Sequence, residues 1–284
     1  MFSSCHVLSR LANVTLIVGG LMILPVHAMA RDVDGRMKGE PTSFQVSQSV
    51  YTTAPYANIL SRYVDARGNV NYAMLKRNGG DLIRYNQILA RTPQSTYNSW
   101  SNAEKIAFWI NAYNALTLES IVKKYPVSSI KKISGVWNRK KHQVLGKMLT
   151  LDDIEHNILR KQFNEPRIHM ALVCASKGCP PLLNKPFTGS QLNAQLNGRA
   201  KAFVADPSKF RIDRKNGRVY LSSIFKWYGQ DFEKKYGTSA FAGSNKQKAS
   251  LNFLSQYTGR DAAYLKAGKY GVSYLNYDWS LNKQ

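Results

Sequence analysis

The sequence predicts an α+β fold, with a buried central helix packed with a small mixed or antiparallel sheet and surrounding helices. Three observations lead there. Residues 101–124 read as one helix with hardly any polar face. Asn216-Gly217 sits between two short strand-like runs, the strongest hairpin signal in the chain. Helical and strand patterns intermix without the regular alternation of a parallel sheet. With 284 residues, 44% of them hydrophobic and 11% aromatic, the chain is long and apolar enough to bury a core.

At the amino terminus Arg10 precedes an apolar run, 11–26, and a small-residue site at Ala28, Met29 and Ala30, the order of parts in a secretory signal peptide. Gly19, Gly20 and Pro25 break the run, which is shorter than the ~20 apolar residues of a spanning helix. Residues 1–30 are therefore expected to be cleaved, leaving a soluble periplasmic or secreted protein. Residues 31–55 mix Gly, Pro, Ser and charge and read as a flexible leader. Residues 56–284 show no internal repeat and no long linker, so they read as a single globular domain.

Within that domain Ile59, Leu60 and Tyr63 have helical spacing, a turn follows at 67–69, and 81–90 repeats the helical pattern. Ser101 and Glu104 form a capping box for the central helix, which Pro126 ends. Asn111 and Asn114 lie in its apolar stretch, so each needs a partner, in loop backbone or in the wall of a site. Thr150, Asp152 and Asp153 signal a second helix carrying Glu155, His156 and Arg160. The short apolar run 168–174 reads as a buried strand, and 175–181 as a turn. Helices are expected at 190–203, from Ser222 to Gly237, and at 250–257, with a final strand-like segment at 272–279.

Five blocks, AFWINAYN (107–114), LTLDDIEH (149–156), RIHMALVCASKGCPP (167–181), SIFKWYGQDF (223–232) and YLNYDW (274–279), resemble a family known only as domain of unknown function 547, DUF547. They follow family order across most of the chain. The family's name records no activity, and the resemblance assigns no catalytic residue.

Removal of residues 1–30 leaves Cys174 and Cys179 as the remaining cysteines. Cys174 ends the expected strand beside a turn containing Lys177, a position suited to a nucleophile whose thiolate a cation favours. Such a nucleophile needs a base. His169 is disfavoured, because five residues of strand span ~16 Å and put the two side chains on opposite faces. His156 is the preferred base, oriented by Asp231 or Glu155, with Asp152 and Asn111 as further candidates. That reading is a cysteine-dependent acyl transferase or amide hydrolase acting on a peptide or acyl substrate. The rival is a Cys174–Cys179 disulfide, structural or redox-active, in a non-catalytic envelope protein. A zinc site from His156, His169, Cys174 and Cys179 is a third alternative, weakened by the loose spacing of the cysteines.

Forty Lys and Arg against 17 Asp and Glu give a net charge of +23. A basic run holds Lys123, Lys124, Lys131, Lys132, Arg139, Lys140, Lys141 and Lys147 with no acidic residue among them. It suits an anionic membrane surface or polysaccharide, or is a solvated face. No nucleic-acid partner is expected, since no recognition motif appears. Phosphate-loop and dinucleotide fingerprints are absent and no cofactor is expected. Amino-terminal sequencing of the processed protein should return Met29 or Arg31, and a Met1 start with detergent-only extraction would refute the cleavage.

Overall fold

The computed structural model describes residues 51–284. The expected signal peptide and residues 31–50 of the expected leader lie outside the described residues. Helix α1 (Ala54–Tyr63) begins inside the last residues read as leader, with Pro55 in its first turn, where a fixed φ and a missing N–H suit a helix start. Next come α2 (Tyr72–Arg77), α3 (Gly80–Arg91) and α4 (Gln94–Ser99).

Helix α5 (Asn102–Lys124) is the expected central helix. The Ser101 hydroxyl accepts from the Glu104 N–H at 3.3 Å, and the Glu104 carboxylate accepts from the Ser101 N–H at 2.8 Å, closing the capping box. Every residue from Ile106 to Leu118 is buried. Its Ile110 and Leu116 belong to one apolar cluster with Tyr56, Leu75 and Leu89 of the preceding helices. A second cluster is built on Phe203, Phe225, Phe232 and Phe253.

A short antiparallel hairpin, β1 (His142–Val144) and β2 (Lys147–Leu149), lies in the basic run. Its turn residues Leu145 and Gly146 both have positive φ, and Leu145 is not a residue type that advertises such a turn. Residues Asp153–Leu159 form a π-helix that continues into α6 (Arg160–Gln162). The Thr150 hydroxyl and the Asp153 carboxylate cap its start reciprocally.

The run 168–174 corrects the expected strand. Residues Pro166–Met170 are a 3-10 helix, and the chain then passes without strand pairing to Cys174. The backbone groups that a neighbouring strand would have paired are taken by a side chain instead: Asn114 donates to the Ala171 carbonyl at 3.0 Å and accepts from the Val173 N–H at 2.9 Å. Ile168 belongs to the first apolar cluster and Met170 to the second, which accounts for an apolar run with no strand period.

Helix α7 (Leu192–Ala205) leads to the expected hairpin, β3 (Phe210–Asp213) and β4 (Arg218–Leu221), turning through Gly217 at φ +56°. Helix α8 (Ser223–Tyr236) starts at the Ser222 cap and stops at Gly237. Helix α9 (Asn245–Ser255) starts earlier than expected, through a second capping box of Ser244 and Gln247, and α10 (Ala262–Ala267) follows. Strand β5 (Gly271–Tyr274) lies parallel to β4, giving a mixed sheet in the order β3-β4-β5. With both helices and small sheets, the fold is α+β.

The strand-like segment stops at Tyr274, and the tail crosses back over the cysteine turn. Lys177 N–H donates to the Ser280 carbonyl, Gly178 N–H to Asp278 and Asn282 N–H to Ala175. No helix among the described residues is long and apolar enough to cross a membrane.

Asn114→Ala should cost about 2–4 kcal/mol, because it strands a buried carbonyl and a buried N–H. Ser101→Ala, which loses an exposed cap, should cost about 1 kcal/mol. Denaturant unfolding of both variants checks this; equal losses would remove the structural role given to Asn114.

Candidate functional site

Cavity walls come from six separate parts of the chain, among them the 131–138 segment with Lys131 and Trp137, and enclose about 460 Å³, the size of a small-molecule site. Helix α5 contributes Tyr113, the π-helix Glu155 and His156 with Asp152 just before it, and the 3-10 helix His169. Cys174 and Cys179 line it from the turn, Trp227 and Tyr228 from α8, and Tyr277 and Trp279 from the tail. Each of the five sequence blocks therefore reaches the same space.

Cys174 and Cys179 form a disulfide, with Cα atoms 6.2 Å apart. Cys174 is partly exposed and Cys179 is buried. Ala175, between them, holds φ +58°, a left-handed backbone that costs energy for any residue with a Cβ. Gly178 is needed because a Cβ there would meet the Tyr277 ring at 2.7 Å.

Hydrogen-bond donors converge on the two sulfurs. The Cys174 N–H donates to Cys179 Sγ at 2.9 Å, and the Tyr277 hydroxyl lies 3.0 Å from Cys179 Sγ and 3.2 Å from Cys174 Sγ. The Ser176 hydroxyl lies 3.2 Å from Cys174 Sγ and 2.9 Å from the Tyr277 hydroxyl. Burial, the largest influence, pushes the Tyr277 phenol well above its usual range, keeping it a protonated donor. Lys177, expected to assist the thiol, is exposed, and the groups that reach the sulfurs are these hydroxyls and a backbone amide. With both sulfurs bonded to each other, neither is a thiolate ligand. Among the described residues no group of three or more His, Cys, Asp and Glu is placed to hold a metal ion.

Both histidines face the cavity, but their partners differ from the expected ones. Asp231 does not orient His156; its Oδ2 lies 2.7 Å from His169 Nε2. Arg160 fixes that carboxylate with a two-pronged contact, Nε to Oδ2 at 2.6 Å and an Nη to Oδ1 at 2.8 Å. The same guanidinium donates to His156 Nδ1 at 3.0 Å, so neutral His156 carries its proton on Nε2, 3.7 Å from Asp152. His169 is buried and stacks on Tyr228 with ring centroids 4.3 Å apart. His169 lies in a 3-10 helix and the chain from Ala171 to Cys174 is not a strand, so the two-residue strand period that disfavoured His169 does not apply.

Glu155 is buried, with the Tyr113 and Tyr228 hydroxyls beside its carboxylate, and its charge helps to raise both phenols above their ordinary range after burial, the larger cause. It does not orient His156. Asn111 does not line the cavity: its amide donates to the Phe187 carbonyl at 2.8 Å and accepts from the Phe187 N–H at 2.9 Å. That is the loop-backbone role, and its neighbour Asn114 is the amide that positions the cysteine segment. Tyr113, Tyr228 and Tyr277 carry no local pattern that marks them as site residues, although each lies in one of the five blocks. Their exposure to one cavity depends on contacts distant in sequence.

Residues 97–204 match the family model described as Protein of unknown function, DUF547. The match covers the first three blocks and ends before α8 and the tail, which supply Trp227, Tyr228, Tyr277 and Trp279. Nothing among curated proteins or solved structures matches the chain.

Arg160 and His169 hold the Asp231 carboxyl well below its ordinary range, against the opposing effect of burial. His142 and Lys123 likewise bring Glu119 down to about 2. A lowered folded-state value means stability that is fully present above the unfolded value near 4 and is lost as pH falls through the folded one. Stability should therefore decline from about pH 4.5 downward. Asp231→Asn should lose about 1–3 kcal/mol at neutral pH, toward the low end because the pair is partly exposed, and should flatten that decline. Chemical denaturation across pH checks both; an unchanged acid limb would remove Asp231 from the account.

Proposed function

We propose that this is an extracytoplasmic protein, periplasmic or secreted, whose Cys174–Cys179 disulfide is redox-active and exchanges with thiols entering the cavity. One observation carries the reading: a disulfide in the wall of a ligand-sized cavity has a backbone N–H and a tyrosine hydroxyl aimed at its buried sulfur. Donors so placed stabilise a thiolate once the bond opens, and a stabilised reduced form makes a disulfide a better oxidant.

The step follows from access. An incoming thiolate attacks Sγ of Cys174, the more exposed of the two cysteines that line the cavity. A mixed disulfide forms on Cys174 as the bond to Cys179 breaks, and Cys179 leaves as a thiolate that accepts from the Cys174 N–H and the Tyr277 hydroxyl. A second thiolate attacks the external sulfur of the mixed disulfide and releases reduced Cys174. Two thiols are oxidised to one disulfide for each protein disulfide reduced. His169 gives its Nε2–H to Asp231, leaving Nδ1 as the ring nitrogen that can accept a proton from an entering thiol.

A second reading is supported by that same His169–Asp231 pair. After reduction Cys174 becomes the nucleophile of an acyl transferase or amide hydrolase, with His169 rather than His156 as its base and Asp231 as the orienting acid. Reduced protein alone would then react with acyl probes, and His169→Ala would abolish that reaction. The basic face is proposed to dock on an anionic envelope surface. Lys124, Lys132, Lys141 and Lys147 are exposed there, whereas Lys123 is paired with Glu119 and Lys140 reaches Ser120.

Protein purified without reductant should contain no free thiol at Cys174 or Cys179, and glutathione should form a mixed disulfide on Cys174 in preference to Cys179. Tyr277→Phe should lower the reduction potential by about 30 mV or more, the equivalent of one hydrogen bond to a charged group. Mass spectrometry and redox titration give both results. A disulfide that resists millimolar thiol in folded protein would be structural only, and the exchange reading would fall.

A further inference from the structure

We infer that the cavity binds an organic ammonium ligand, a quaternary or methylated amine, between its tryptophan faces and its two carboxylates. This goes beyond disulfide exchange and holds whether or not the disulfide reacts.

Aromatic side chains form the mouth. The Trp227 ring centroid lies 4.8 Å from Tyr277 and 5.8 Å from Trp279, and Trp137 meets Trp279 at 6.1 Å. These rings are inclined to one another by 32° to 69°, so they do not stack face to face and cover each other. Trp227 remains 44% exposed, a large apolar surface at the edge of a cavity. An aromatic face carries negative charge density, and several faces around one space are a receptor for a soft cation.

The carboxylates give the sign. In a chain of net charge +23, Asp152 and Glu155 both line this cavity, and among the described residues neither has a Lys or Arg in ion-pair contact. The groups beside Glu155 are two tyrosine hydroxyls, which carry no positive charge. Among the described residues Asp152 has one ion-pair partner, His156 at 3.7 Å, and its other charged neighbours are the carboxylates of Glu155 and Asp153. Burial raises the Asp152 carboxyl above its ordinary range, the mark of a carboxylate short of positive neighbours. An anionic ligand would meet repulsion here, and an uncharged apolar one would strip water from both carboxylates without replacing it. A diffuse cation compensates their charge while its methyl groups cover the rings.

The chain also seats cations of its own on these walls. The Lys131 ammonium lies 5.2 Å from the Trp279 centroid, and Arg160 lies 5.1 Å from the Tyr228 centroid. Lys131 is exposed and lines the mouth. It therefore competes with a cationic ligand for Trp279, and this predicts opposite signs for two substitutions. Removing Lys131 should strengthen cation binding, whereas removing the Asp152 charge should weaken it.

The experiment uses the full mature chain in its oxidised form, with choline as probe and dimethylbutanol, its uncharged carbon isostere, as control. Tryptophan fluorescence and calorimetry report binding. Choline should bind saturably and the isostere about tenfold or more weakly, the factor expected when the cation–aromatic and carboxylate attractions are lost. Asp152→Asn should weaken choline several-fold without affecting the isostere, and Lys131→Gln should strengthen choline. Both side chains are at least partly exposed, and unchanged thermal unfolding confirms that each variant is folded. Binding should persist after Cys174 and Cys179 are reduced and alkylated with a small reagent, or in Cys179→Ser should alkylation block the mouth. Equal affinity for choline and its isostere, no saturable response to either, or a weakening by Lys131→Gln overturns the inference. None of these outcomes bears on whether the disulfide exchanges with thiols.

Discussion

The Arg160 guanidinium is the contact on which the order of the cavity rests, because one rigid, permanently charged group fixes three side chains that otherwise have no reason to agree in orientation. Two of its N–H groups grip Asp231, another reaches His156, and its plane lies over Tyr228. Through Asp231 it also sets His169. A lysine in that place would offer a point charge without the planar fork, and would hold the carboxylate or the imidazole but not both in register. The contact also determines protonation. A guanidinium donates only, so His156 must accept at Nδ1, and an ionised Asp231 takes the proton of His169 Nε2. The two imidazoles therefore present different nitrogens to the cavity.

The cysteine turn depends on a different constraint, the placement of backbone groups that no regular element pairs. Asn114 takes the carbonyl and amide just before Cys174, and the C-terminal tail takes the amides of Lys177 and Gly178 and the carbonyl of Ala175. Ala175 is thereby held in a left-handed conformation, and Gly178 allows the Tyr277 ring to lie against the turn. Strain of this kind persists only where surrounding contacts over-determine it. Here those contacts come from the central helix on one side and the end of the chain on the other. The tail is thus both the clamp on the turn and the source of Tyr277, so disulfide environment and cavity wall are built by one segment.

Charge divides between surface and cavity. Most of the positive groups stand in water, where a solvated Lys costs little. Among the described residues Asp152 and Glu155, which face the cavity, have no Lys or Arg in ion-pair contact, and the Tyr113 and Tyr228 hydroxyls lie beside Glu155. A basic exterior therefore surrounds a small region of opposite sign.

Local chemistry determined much of this molecule from sequence. Ser101 with Glu104 starts the central helix, Asn216-Gly217 turns the hairpin, and Ser222 and Gly237 bound α8, because each acts through atoms a few residues away. The same holds for the proximity of Cys174 and Cys179, whose turn is short. The sequence also marked His156, Glu155 and Asp231 as chemical groups, but only tertiary structure decided their partners. Arg160 and Asp231 lie on different helices, and nothing in the spacing of either distinguishes His169 from His156 as the imidazole between them. The apolar run 168–174 was misleading for a related reason. Strand period presupposes a neighbouring strand, whereas here Asn114 from α5 satisfies the backbone and two apolar clusters share the side chains. Tyr277 is the clearest case: it reaches the sulfurs only because the tail folds back across the turn, a long-range pairing that no local pattern encodes.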